Sequence, residues 1–187
     1  AGSADATVAV AYSDGTTNSA TIKAGAAKVF YQASEAHNSK TFAATITGSQ
    51  PLVGSVIQEN TATLFAYTGF NAGSANPVFP LVNANNGGIR TGIQVQNVGA
   101  QATDVTLSYT PSGAGNGTAC TETHTIQPGG SETYAFTAFE SGVAGSNCAP
   151  KPAKFVGSAK VTGNTTSMPL VGIANQLGPG VNGGAYV

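Results

Sequence analysis

The sequence predicts an all-β protein of two related antiparallel β-sandwich domains, residues 1–75 and 76–187. Three observations lead there. Short alternations of apolar and polar residues are bounded by Gly, Pro and Asn, no stretch keeps a helical period, and the chain repeats itself.

The repeat appears in four blocks whose order is kept. Ala6-Thr7-Val8-Ala9-Val10-Ala11-Tyr12 lies over Thr103-Asp104-Val105-Thr106-Leu107-Ser108-Tyr109, an offset of 97. Thr21-Ile22-Lys23-Ala24-Gly25 lies over Thr125-Ile126-Gln127-Pro128-Gly129, at 104. Residues 44–48 lie over 159–163, at 115, and Pro51-Leu52-Val53-Gly54 recurs identically as Pro169-Leu170-Val171-Gly172, at 118. An offset that only grows is what insertions confined to loops produce. In the second unit the pattern places strands near 78–82, 90–97, 103–110, 121–126, 132–138, 155–162, 168–176 and 183–187. Asp14-Gly15 is a hairpin-turn dipeptide. The segment 69–77, rich in turn formers, reads as the linker between units, with Phe70 a wedge between them or a cap on one core.

Seven or eight short strands in about 110 residues is the pattern of an immunoglobulin-like sandwich. The Ile-x-Pro-Gly-Gly turn at 126–130 resembles the tight corner of bacterial tandem immunoglobulin-like repeats. Gly92-Ile93-Gln94-Val95-Gln96-Asn97, followed by a strand ending in Tyr109, is similar to them too. The chain thus resembles bacterial and archaeal secreted tandem immunoglobulin-like (fibronectin III-like) proteins of cell surfaces and extracellular filaments. That resemblance implies a surface architecture and brings no catalytic residues with it.

The offset rises by seven between Tyr109 and Thr125, and by eleven between Tyr134 and Ala159. Cys120 lies in the first enlarged stretch and Cys148 in the second, and the first unit has neither the extra residues nor a cysteine. Two loops that lengthen together, each with one Cys, predict a bridge between them; the other reading is two buried free thiols. A bridge places the chain in an oxidising compartment, outside the cell or on its surface.

At these offsets Ala1 aligns with Val98, so the first unit has no equivalent of residues 77–97 and about six strands against eight. A sandwich short of strands exposes core side chains and a row of backbone donors and acceptors. Either the missing strands belong to a longer array, of which this chain is a mature or excised form, or another molecule donates them. The tail is the expected donor, with Val181, Ala185 and Val187 facing inward and Gly183 admitting close approach. Residues 78–82 form a second, less favoured donor. The tail would become ordered only on docking, and donation that does not close into a ring yields an open filament.

Chemistry is sparse. His37 reads as part of a solvated loop and His124 alternates with Glu122 on a strand; neither has metal-ligand spacing. Serines are plentiful, but none lies in a Gly-x-Ser-x-Gly elbow. A carboxylate pair would have to come from Glu35, Glu59, Glu122, Glu132 and Glu140. No cofactor or metal is expected, and the chain reads as a non-enzyme. Asn116-Gly117-Thr118 and Asn164-Thr165-Thr166 are sequons, making Asn116 and Asn164 the glycan candidates.

Charged residues are only 8% of the chain and the net charge is −1, which leaves no footprint for nucleic acid. No apolar run is long enough to cross a bilayer as a helix. The expected function is therefore a structural subunit of an extracellular filament, sheath or surface layer, polymerising with copies of itself. The alternative is an adhesin or carbohydrate-binding stalk module using loops 111–120 and 139–154.

Overall fold

Alternation along β1 (Ala6–Tyr12) sends Ala6, Val8, Val10 and Tyr12 to one face, where all four are buried. β1 is the centre of a three-stranded antiparallel sheet, between β2 (Thr17–Ile22) and β3 (Ala44–Gly48). Its turn follows Asp14-Gly15: Gly15 adopts φ 86° and Asp14 Oδ1 accepts the Thr16 amide at 3.0 Å. The computed structural model describes residues 2–59, 64–164, 168–179 and, by backbone alone, 181–186.

Ile22, Phe30, Phe42 and Leu52 pack on the buried face of this sheet. Among the described residues, this small cluster is the whole core of the N-terminal part. β4 (Ser55–Glu59) and β5 (Leu64–Thr68) form a separate two-stranded hairpin, in which every residue of β4 is exposed.

The C-terminal part is built differently. β6 (Val78–Ala84), β7 (Arg90–Asn97), β8 (Thr103–Pro111), β9 (Cys120–Ile126), β10 (Ser131–Tyr134), β11 (Phe155–Gly163), β12 (Leu170–Gly178) and β13 (Val181–Tyr186) form two four-stranded antiparallel sheets. Their orders are β10-β7-β12-β13 and β6-β11-β8-β9. Both sheets contribute to one core, with Ile93, Val95, Tyr134 and Leu170 from the first and Phe79, Leu107, Tyr109 and Phe155 from the second. The arrangement is sandwich-like and all-β. Among the described residues, no helix is long and apolar enough to cross a membrane.

Two strand expectations need correction. The predicted strand 132–138 stops at Tyr134, because Ala135 turns the chain at φ 65°, ψ −63° and α1 (Phe136–Glu140) follows. The N-terminal part has five described strands in two sheets instead of about six in one sandwich.

The Ala135 turn has a physical anchor. Glu122 is fully buried, and its Oε2 accepts both the Ala135 amide at 2.9 Å and the Tyr109 hydroxyl at 2.7 Å. Oε1 lies 2.9 Å from His124 Nε2. Burial, reinforced by the Glu122 charge, pushes the Tyr109 phenol well above its usual range. Tyr134 also rises, through burial first, and its hydroxyl donates to the Val105 carbonyl. Replacing Glu122 by Ala strands a buried hydroxyl and a buried amide, so a loss of about 2–4 kcal/mol is expected. It should appear as a lower urea midpoint at unchanged slope.

Candidate functional site

The two parts pair their strands in matching registers. Tyr12↔Ala44, Val10↔Ile46 and Val8↔Gly48 on β1 and β3 correspond to Tyr109↔Ala159, Leu107↔Val161 and Val105↔Gly163 on β8 and β11, at the offsets 97 and 115. Ala6↔Ile22 and Val10↔Asn18 on β1 and β2 correspond to Thr103↔Ile126 and Leu107↔Glu122 on β8 and β9, at 97 and 104. The hairpins agree as well: Val56↔Tyr67 and Ile57↔Ala66 match Ala174↔Tyr186 and Asn175↔Ala185, at 118 and 119. Even the corner turn recurs, with Ala26 N donating to Lys23 O as Gly130 N donates to Gln127 O.

What differs is the company these strands keep. In the C-terminal part, β6 lies on the outer edge of β11 and β7 lies between β10 and β12. No described strand takes either place in the N-terminal part. Residues 27–30, which align with β10 at offset 104, therefore stay out of strand pairing, although Phe30 still packs on the small core where Tyr134 fills the large one. β4, aligned with the latter half of β12, has β5 on one side and no described strand on the other. The consequence is exposure of apolar groups. Ile46 is 49% exposed where its counterpart Val161 is fully buried, and Val56 is 37% exposed where its counterpart Ala174 is fully buried.

The C-terminal part protects its own edges. The outer edge of β9 is covered by residues 145–147: Thr123 N donates to Gly145 O, and Asn147 N donates to Thr121 O, both at 3.0 Å. The predicted Cys120–Cys148 bridge is present and ties this cover to the first residue of β9. The edge strand β6 contains Pro80, which has no N–H to offer. β5 lies beside β13. In the N-terminal part β2, β3 and β4 each have one edge without a described strand partner, as β6, β9 and β10 have in the C-terminal part.

The expected donor needs a correction of its own. Val181, Gly183 and Ala185 lie on β13, which is hydrogen-bonded to β12 of the same chain. Val187 lies outside the described residues. Of the sequons, Asn116 is half-buried in an otherwise exposed turn, its amide nitrogen donating to Ser112 Oγ at 3.0 Å. Asn164 is exposed, accepts from Thr103 Oγ1 at 2.7 Å and donates to Asp104 Oδ2 at 3.3 Å.

His37 is not solvated, contrary to expectation. It stacks on Phe42 at a centroid distance of 3.9 Å and meets the edge of Tyr12 at 4.8 Å. Its Nδ1 lies 3.0 Å from Asp14 Oδ2 and its Nε2 2.8 Å from Gln32 Oε1. The Gln32 amide nitrogen is committed to the Phe30 carbonyl and the Tyr12 hydroxyl, so both imidazole nitrogens meet acceptors. The Asn38 amide also donates to Asp14 Oδ2, at 2.9 Å. The Asp14–His37 pair ties loop 31–39 to the β1–β2 turn. No signal in the local sequence marks it, because Phe42 and Gln32 reach His37 only through the fold.

Among the described residues, no three His, Cys, Asp or Glu side chains come together as a metal site. Of the carboxylates weighed for catalysis, Glu122 is enclosed in its own hydrogen bonds and Glu140 faces Arg90 at 3.4 Å. Compared with protein-family models, curated proteins and solved structures, the chain finds no match.

Two expectations follow from this geometry. Replacing both Cys120 and Cys148 by Ser releases a 28-residue span, with an expected loss of about 3–4 kcal/mol. Amide hydrogen exchange at Thr123 and Asn147 should accelerate more than exchange on β8. The second concerns acid. Burial pushes Asp14 up from its ordinary 3.8, but hydrogen bonds from Thr16, His37 and Asn38 outweigh it and hold the carboxyl well below that value. A depressed carboxylate stabilises the fold above about pH 4 and loses that contribution as the pH falls further. Asp14→Asn should therefore flatten the acid limb of the stability curve below about pH 4.

Proposed function

We propose that this protein is a structural subunit of an extracellular filament, sheath or surface layer that assembles with copies of itself by strand donation and domain packing. One observation supports this above the others. The N-terminal part has strands aligned and paired like β8, β9, β11, β12 and β13, but no described strand in the places of β6 and β7. Two of its strand edges and the apolar residues Ile46 and Val56 then lack the cover that their counterparts' neighbours supply. Such edges favour pairing with another chain.

In this reading the two parts are tandem immunoglobulin-like units, 1–75 and 76–187. The 8% charged content supports it, since closely packed copies then repel one another little. The disulfide supports an oxidising, extracellular setting. A donor role for residues 181–187 requires β13 to leave β12, an exchange of one strand pairing for another, so donation by the tail is a swap.

Sedimentation velocity and negative-stain microscopy of the purified chain over a concentration series test the proposal. Mass should grow with concentration and regular fibres or sheets should form. A chain that stays monomeric and forms no ordered array at any concentration would overturn it.

A further inference from the structure

The His37 ring is closed in, its side chain 9% exposed and that of its partner Asp14 fully buried. Its neighbours dictate how many protons it holds. The Phe30 carbonyl only accepts, so the Gln32 side-chain nitrogen, 2.8 Å away, must face it. That turns Gln32 Oε1 toward His37 Nε2 at 2.8 Å, where an N–H on the ring is needed to make a hydrogen bond. On the other side Nδ1 faces Asp14 Oδ2 at 3.0 Å. Thr16 Oγ1 also lies 3.0 Å from Nδ1, but its proton goes to Asp14 Oδ1 at 2.6 Å, so it too is an acceptor for the ring. Acceptors thus stand at both nitrogens, and the imidazolium alone satisfies them all.

We infer that His37 is a proton-operated latch on the covering loop 31–39, closed while both ring nitrogens carry protons and released at its Gln32 end when Nε2 gives its proton up. The Asp14 carboxylate keeps the remaining proton on Nδ1. Nε2 then presents a lone pair to Gln32 Oε1, in a place that water reaches poorly. Gln32 can turn its amide over to satisfy the ring, but its oxygen then meets the Phe30 carbonyl. Either way two acceptors are left facing each other away from water, which is unfavourable.

The two ends of the loop respond differently. The Asn38 and Ser39 amides donate to Asp14 Oδ2 at 2.9 and 3.4 Å, and Asn38 Nδ2 donates to the Asp14 carbonyl. None of these bonds depends on Nε2. The other end is the 3₁₀ turn Gln32–Ser34, none of whose residues is buried, and Gln32 anchors it to Phe30, Tyr12 and His37. Release therefore begins at residues 31–35 and bares Tyr12, whose hydroxyl Gln32 caps.

Few groups around the ring titrate or carry charge. Asp14 faces it from the β1–β2 turn and Tyr12 from β1, Phe42 brings none, and its own loop carries Glu35 and, just beyond, Lys40, both exposed. Asp14 stays ionised between about pH 5 and 8, the range in which histidine changes charge, so the ring is the group that switches there. Closure is complete on the acid side of this window and is lost as the pH rises through it. The latch is independent of the proposed assembly.

NMR of the 15N-labelled chain across about pH 5 to 9 tests it, following the ring nitrogens of both histidines and backbone amide exchange. His37 should lose its proton from Nε2 and keep the one on Nδ1. In step with that loss, protection of the Ser34 and Glu35 amides, which donate to Tyr31 and Gln32 carbonyls, should fall about tenfold relative to unstructured chain. Asn38 and Ser39 should stay protected. His37→Asn, which does not titrate in this range, should abolish the step; if that variant does not fold, the wild-type titration decides alone. A ring that does not titrate, loss of the Nδ1 proton first, or constant protection overturns the latch. So does equal loss at both ends of the loop, a step that follows His124, or a step that survives in His37→Asn.

Discussion

Every β-strand carries two rows of backbone donors and acceptors, and the outer row of β3 is the constraint on which the rest of this molecule turns. In the C-terminal part the equivalent row, on β11, is taken by β6, and the side chains beneath it close into one core. In the N-terminal part no described strand takes it. The small core there remains four buried residues of β1 with their partial cover, and the hairpin β4–β5 stays a separate sheet. One missing neighbour thus accounts for the exposure of Ile46. The absence of a described strand between 27–30 and β4 accounts for the unpaired segment.

The C-terminal part shows what sealing the same architecture involves. A disulfide-tethered loop covers β9, a proline interrupts β6, and a buried carboxylate holds the turn that ends β10. Each device covers an edge, interrupts one or satisfies a buried polar group. None of the three has a counterpart in the N-terminal part. Asn18 aligns with Glu122, no cysteine is present, and the Asp14–His37–Gln32 cluster anchors the covering loop instead. That cluster holds the lid on the small core and leaves the sheet edges alone.

Much of this was legible in the chain of residues, and the reasons are local. The pairing registers of β1 with β2 and β3 follow the block offsets, because period-two alternation and Gly or Pro at the block ends set where strands start and which side they bury. The bridge between Cys120 and Cys148 was readable from two insertions that carry one cysteine each. Other features escaped. His37 sits among Ser, Asn and Glu and reads as solvent-facing, yet Phe42 and Tyr12 enclose it. The tail 181–186 is poor in strand formers, and its pairing comes from β12 beside it and not from its own propensity. Ala135 carries no turn signature, and its conformation is held by Glu122 from another strand.

The sequence by itself determined the all-β class, the repeated blocks and their registers, the turn positions and the cysteine pair, since each depends on residues close along the chain or on a pattern repeated within it. Only the tertiary structure decided which edges are covered and which polar groups are buried with partners. Those properties belong to what lies beside a strand in space. A strand's own residues specify its two faces, but they do not specify its neighbour.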